Sequence, residues 1–281
     1  MAHLTAIHVE FPVRAIVAGS LLSIALLGAL PLTASAVFER DVRSAAVDAV
    51  CGAGPAQELT DLLTATEPAT QWRLRATSAE LYGLSELRGA AVSVSRVSRG
   101  SRLSAGWESL GGAVLREQTI EVAGTRRWSQ GVCVGLRCRA LCLGWEGGTS
   151  EWAGAVDLAA AWLVGGRLVI GLSARNITRS LVLSSPVSSG VSGEAALVLD
   201  GVTVLASLSG EPGFAPSPAV GCDLALASWV RVRAGIRTEP SSTAFGLCLG
   251  GGRTTWPELD LAWCWHPVLG SSYSLTVSIH I

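Results

Sequence analysis

Lysine is missing altogether. All 21 basic residues are arginine, they stand against 22 acidic residues, and the net charge is −1. Asparagine is nearly missing too, with Asn176 alone, so the Arg- and Ala-rich composition reflects a GC-rich genome as much as a function. A balance this close to neutral offers nucleic acid no basic field, and that class of partner is excluded. Histidine is scarce: of four, only His266 and His280 lie beyond the amino-terminal leader, and no C-x-x-C pair occurs. No zinc-type constellation can be assembled from such a set, and no metal is expected. There is no G-x-S-x-G elbow, no P-loop and no dinucleotide fingerprint, so neither an enzyme nor a cofactor is expected. His266-Pro267 reads as a turn and His280 as part of a polar strand face.

Long apolar runs are absent after the first 36 residues. Any entry into a membrane by the rest of the chain would therefore be by strands, not helices. The exception is the start. Arg14 precedes an apolar run from Ala15 to Leu32, and Ala34-Ser35-Ala36 is a small-residue cleavage site, so residues 1–36 read as a secretory signal peptide. The seven cysteines (Cys51, Cys133, Cys138, Cys142, Cys222, Cys248 and Cys264) sit mostly among Leu, Val and Gly and read as small apolar residues. A disulfide of Cys138 with Cys142, or of Cys133 with a neighbouring strand, stays open in an oxidising compartment.

What is present divides into two parts. Residues 37–69 carry helix formers at helical spacing in RDVRSAAVDAV (40–50) and QELTDLLT (57–64), separated by Gly52, Gly54 and Pro55. From residue 70 onward the chain is β. Fourteen strands are expected, over 70–78, 89–97, 102–110, 115–126, 130–145, 152–164, 166–176, 191–199, 201–209, 218–228, 230–238, 243–250, 256–266 and 271–281. Gly165-Gly166 and Asp200-Gly201 are tight-hairpin signals between strands of matched pattern.

Several strands alternate cleanly. Val230, Val232, Ala234 and Ile236 oppose Arg231, Arg233, Gly235 and Arg237; Leu168, Ile170, Leu172 and Ala174 oppose Val169, Gly171, Ser173 and Arg175; Trp72, Leu74 and Ala76 oppose Arg73, Arg75 and Thr77. The last strand is the strictest. Tyr273, Leu275, Val277, Ile279 and Ile281 share one face, and Ser272, Ser274, Thr276, Ser278 and His280 the other. Period-two alternation fits two architectures. In an exported soluble β-sandwich, a binding or adhesin-like module, the apolar face is the core and the Arg face meets water. In a membrane barrel the apolar face meets lipid, and Arg73, Arg75, Arg175, Arg231, Arg233 and Arg237 line the lumen. There they would favour anions or hold a carboxylate of the amino-terminal segment such as Asp48, Glu58 or Asp61; a solvated strand face is the alternative.

Two features favour the barrel. The face opposite the apolar one is built largely of Gly, Ala, Ser and Thr. Ten Trp stand against two Tyr and four Phe, and several, including Trp107, Trp145, Trp229 and Trp265, fall near strand ends, where an interfacial girdle would place them.

The wording of the last strands resembles the FadL-like and PorV-like outer-membrane barrels. A Gly-rich strand (Phe245–Gly250), an LDLAW strand (Leu259–Trp265), an HPVLG turn (His266–Gly270) and a closing strand (Ser271–Ile281) follow in that family's order. GRLVIGLSARN (166–176) and EPGF (211–214) resemble it as well. Two departures stand out: the chain ends in Ile281, where such proteins end in an aromatic residue, and the family's Gly-rich amino-terminal wording is altered over 48–53 and 67–69. The resemblance implies an all-β fold, an antiparallel transmembrane barrel of about fourteen strands over 70–281, with 37–69 as a short helical segment that tucks inside as a hatch; a plain surface extension is the alternative. It further implies a bacterial outer-membrane location and, as partners, outer-membrane lipid and the barrel-insertion machinery. The expected role is passage of hydrophobic small molecules, or service as a barrel component of protein secretion or surface attachment.

Overall fold

A computed structural model describes residues 45–48, 50 and 70–281, apart from 99, 130, 149, 183–184 and 251–256. The leader at 1–36 and most of 37–69 lie outside the described residues.

Among the described residues one short helix, α1 (Ala45–Asp48), precedes the strands. These are β1 (Gln71–Leu81), β2 (Leu84–Ser98), β3 (Ser101–Gly111), β4 (Leu115–Ser129), β5 (Val132–Trp145), β6 (Glu151–Val164) and β7 (Leu168–Arg175). Two two-residue strands, β8 (Leu181–Val182) and β9 (Ser185–Pro186), form a small hairpin of their own. Then come β10 (Gly190–Leu199), β11 (Val202–Gly210), β12 (Ser217–Ala227), β13 (Val230–Thr238), β14 (Ser241–Leu249), β15 (Glu258–His266) and β16 (Gly270–His280). Every strand of the main sheet pairs antiparallel with its sequence neighbours, β7 with β10 across the 176–189 excursion, and β1 with β16 closes a fourteen-stranded barrel. The seam extends to the last residue: Trp72 and Ile281 exchange two backbone hydrogen bonds of 2.9 Å. A closed circuit rules out the two-sheet sandwich.

The turns follow from local chemistry. Two-residue hairpins need φ > 0 at their centre, which glycine adopts without steric cost. Gly165 and Gly166 take φ of 59° and 75°, and Gly201 takes 76°.

The polarity is inverted relative to a soluble protein. On β16, Ser274, Thr276 and Ser278 are almost wholly buried, whereas Tyr273 and Ile279 are 56% and 41% exposed. The same outward row continues round the barrel through Val92, Leu103, Ile120, Leu136, Leu158, Ile236 and Phe245, all exposed. An apolar surface this extensive has no aqueous cover, and every barrel strand except the eight-residue β7 reaches the length of about nine to eleven residues that crosses a bilayer at a tilt. The two ends differ. At the end that carries the termini, connections are two or three residues long except at 250–257; the opposite end holds the longest, 176–189. In bacterial barrels the short turns face the periplasm; here the short-turn end is the one that carries the termini.

Candidate functional site

The lumen is built from charges that satisfy one another. Asp223 on β12, fully buried, accepts from Nε of Arg231 (3.0 Å) and Nε of Arg233 (2.8 Å). Arg233 also reaches across β14 to Asp260 of β15. Its register partner on β14 is Gly246, whose bare backbone leaves that path open. On the other wall, Asp157 of β6 accepts from Arg137 Nε (2.7 Å), Arg139 Nη2 (2.9 Å) and the backbone N–H of Asn176 (2.7 Å). Arg137 also reaches Glu121 at 3.3 Å. Near the seam, Arg73 pairs with Glu258 at 3.3 Å, and Gln71 Nε2 lies 3.0 Å from His280 Nδ1.

The mouth opposite the termini is narrowed by the 176–189 excursion. Asn176 Nδ2 donates to the Val187 carbonyl (2.9 Å), Ser188 donates to Glu211 (3.0 Å), and Arg175 pairs with Glu211. Val182 and Val187 are buried against the inward residues Leu141, Leu143 and Ala155. Asp157 thus joins the wall to this excursion through the Asn176 N–H. Replacing it with Ala removes an ionic partner of two arginines, one of them buried, and should cost about 3 kcal/mol. Asp157→Asn should cost less. The check is the urea midpoint of the folded band in detergent, together with protease sensitivity at 176–189, which should rise in both variants.

A second element enters from the amino-terminal side. Helix α1 packs against β14, β15 and β16. Val50 just beyond it is fully buried among Cys133, Ala161, Val169, Ala196, Leu205 and Ala219, all on the inner face. What makes room for it is a pair of glycines opposite each other, Gly221 on β12 and Gly235 on β13. A Cβ on Gly221 would stand 2.7 Å from Val50 Cβ, and one on Gly235 only 2.5 Å from the Val50 carbonyl carbon. Any larger residue at either position collides with the segment.

The arginines singled out by alternation are therefore not a bare cationic lining. Arg73, Arg175, Arg231 and Arg233 are paired with carboxylates, and Arg75 and Arg237 are half-buried on the same face. Sequence reasoning missed the acids. Their signal was present: Asp223 is the register partner of Arg233, and Asp157 of Arg137, but that signal needs the strand register. Cys248, Glu258 and Asp260 also converge, with ligand-type atoms within 4.8 Å of one another. Arg73 and Arg233 already supply the cations there, so the cluster is charge-balanced without a metal. Among the described residues no disulfide links one cysteine to another, and Cys133, Cys138, Cys142, Cys222 and Cys248 are free thiols.

Of the tryptophans, Trp107 and Trp265 point outward toward the loop end, and Trp229 is exposed in a turn at the terminal end. Trp145 differs. It stands at the inward register of β5, in line with Arg139, Leu141 and Leu143, and folds over Gly148 at the rim. Trp72, Trp128 and Trp162 add exposed rings at the terminal end.

A closed fourteen-stranded barrel, apolar outside and polar within, is the fold of the bacterial outer-membrane β-barrels. Solved structures agree. The Pseudomonas putida toluene transporter TodX superposes with a TM-score of 0.61 at 10% identity, over 87% of this chain and 98% of that one. The CymD monoaromatic hydrocarbon channel gives 0.58 at 10% identity, over 81% and 92%. A Pseudomonas aeruginosa FadL homologue gives 0.54 at 11%, over 87% and 99%. No protein-family model matches the sequence, and no curated protein does.

Proposed function

We propose that this protein is an outer-membrane channel for hydrophobic small molecules, of the size and kind of a monoaromatic hydrocarbon, in which 37–69 is a lumen hatch behind a cleavable leader. The observation that carries this reading is Val50, seated inside the barrel on the bare backbones of Gly221 and Gly235. An inner wall shaped by two bare glycines to receive a chain segment fits a gated conduit. The three solved neighbours are described as a toluene transporter, a monoaromatic hydrocarbon channel and a FadL homologue. Those descriptions favour a conduit over a catalyst, and a channel over a secretion component. The arginines Arg73, Arg75, Arg175, Arg231, Arg233 and Arg237 then hold the lumen wall together, Trp107, Trp229 and Trp265 belong to interfacial bands, and Tyr273 to Ile281 form the closing strand presented to the insertion machinery.

The test is uptake. Expressed in a Gram-negative host lacking hydrocarbon channels, the protein should fractionate with the outer membrane and migrate differently on SDS gels with and without boiling. Uptake of radiolabelled toluene should rise above that of the empty host, while liposomes carrying the protein should not swell in small sugars. Swelling without any gain in toluene uptake would replace this reading with a general aqueous pore.

A further inference from the structure

The lipid-facing wall carries a feature the channel reading leaves unused. At the terminal end, Arg96 of β2 and Arg126 of β4 both point outward, into the register rows of Leu103 and Val134, and both are exposed. Among the described residues no carboxylate pairs with either; Arg96 lies over the Trp72 ring, 5.6 Å from its centroid. Arginine on the lipid face is costly at the midplane and close to free at the interface. Two of them together at one rim therefore mark headgroup depth.

Between them is a groove of about 700 Å³. It follows from one residue. In the outward row that runs Arg96, Leu103, Gly124, Leu136, Leu158, position 124 has no side chain. The space above it is empty, since a Cβ on Gly124 would meet nothing within 4 Å. The floor is apolar, and the two cationic ends flank it one strand apart, on the order of 10 Å across the sheet from two strand spacings. That distance is within the combined reach of two arginine side chains. An apolar trough with guanidiniums on its rim matches an acyl chain joined to a phosphate.

We propose that Arg96 and Arg126, over the Gly124 groove, form a seat for an anionic glycerophospholipid of the periplasmic leaflet. The phosphate sits on the two guanidiniums and an acyl chain lies on Leu103, Leu136 and Leu158. The assignment of leaflet rests on the outer-membrane reading and on the terminal end facing the periplasm.

Native mass spectrometry of the delipidated protein in detergent, titrated separately with phosphatidylglycerol, lipid A and inorganic phosphate, tests it. Phosphatidylglycerol adducts should form on the wild type and weaken about tenfold, or ~1.4 kcal/mol, in R96Q/R126Q. Gly124→Leu, which fills the groove and leaves both charges, should weaken them as well. Arg116→Gln, an exposed arginine at the opposite rim, should leave them unchanged. All substituted side chains point outward, so each variant should keep its heat-shifted band, and that band tests the membrane-barrel reading separately. Equal adducts in wild type and double variant overturn the seat. Phosphate bound as well as phospholipid overturns the acyl part, and lipid A bound in preference through the same arginines overturns the leaflet.

Discussion

Replacing Arg233 with Met should lower the unfolding free energy of the barrel in detergent by about 3–5 kcal/mol, the cost of removing one partner of a buried ion pair. The reason is geometric. Arg233, Asp223 and Asp260 are each 3% exposed or less, and this one guanidinium joins β12 to β15 over the intervening strand. Without it, two carboxylates remain in a water-poor interior facing each other across the gap. The measurement is the urea midpoint of the heat-shifted band, with tryptophan emission as a second probe. Arg231→Gln is the control: that side chain is 43% exposed, so its pair with Asp223 is screened and its loss should cost about 0–1 kcal/mol. The triple variant D223N/R233M/D260N should recover most of the stability, because removing all three charges together leaves no buried ion uncompensated; Arg231, which loses Asp223, is 43% exposed and stays solvated. A triple variant as weak as R233M would mean that packing of the arginine stem, not charge, holds this wall.

Gly221→Ala and Gly235→Ala should both unseat the amino-terminal segment, yet respond differently to a second change. Overpacking a closed site costs about 1–3 kcal/mol, roughly a five- to hundredfold shift in the docked fraction. At Gly221 the collision is with the Val50 side chain, at 2.7 Å from its Cβ. Val50→Gly should therefore rescue Gly221→Ala. At Gly235 the collision is with the Val50 backbone, so the same rescue should fail. Protease sensitivity of 37–69 and ion conductance across a planar bilayer read the outcome, and both should rise in the unrescued variants. Rescue at both positions, or at neither, would show that the segment does not lie where the glycines place it.

Much of the barrel was legible in the sequence because its signal is local. Alternation such as Tyr273 to Ile281 depends on strand period alone, and Gly165-Gly166 and Asp200-Gly201 carry the backbone freedom that a two-residue turn requires. The fourteen expected segments correspond to the fourteen barrel strands, most within a few residues at each end. What escaped depends on register or on long-range position. Asp223 and Asp157 are unremarkable acids until pairing sets them beside Arg233 and Arg137. Gly221 and Gly235 read as two of 32 glycines until they face each other under Val50. The β8–β9 hairpin is too short to show a period. Trp145 lies near a strand end like the outward tryptophans, and only the count along β5 turns it inward.

The seam between β1 and β16 has a consequence for the order of assembly. Each other pairing joins neighbours along the chain, so hairpins can form one after another as the polypeptide is delivered, each at small entropic expense. The seam alone brings together positions as far apart as Gln71 and His280, 209 residues. Closing so long a loop costs roughly 2–3 kcal/mol more than closing a ten-residue one, and nothing offsets that until the last strand is in place. Closure is then the final event. A chain cut before β16 would not settle into a smaller ring: it would stall as a curled sheet with two open edges, a template for pairing with other chains.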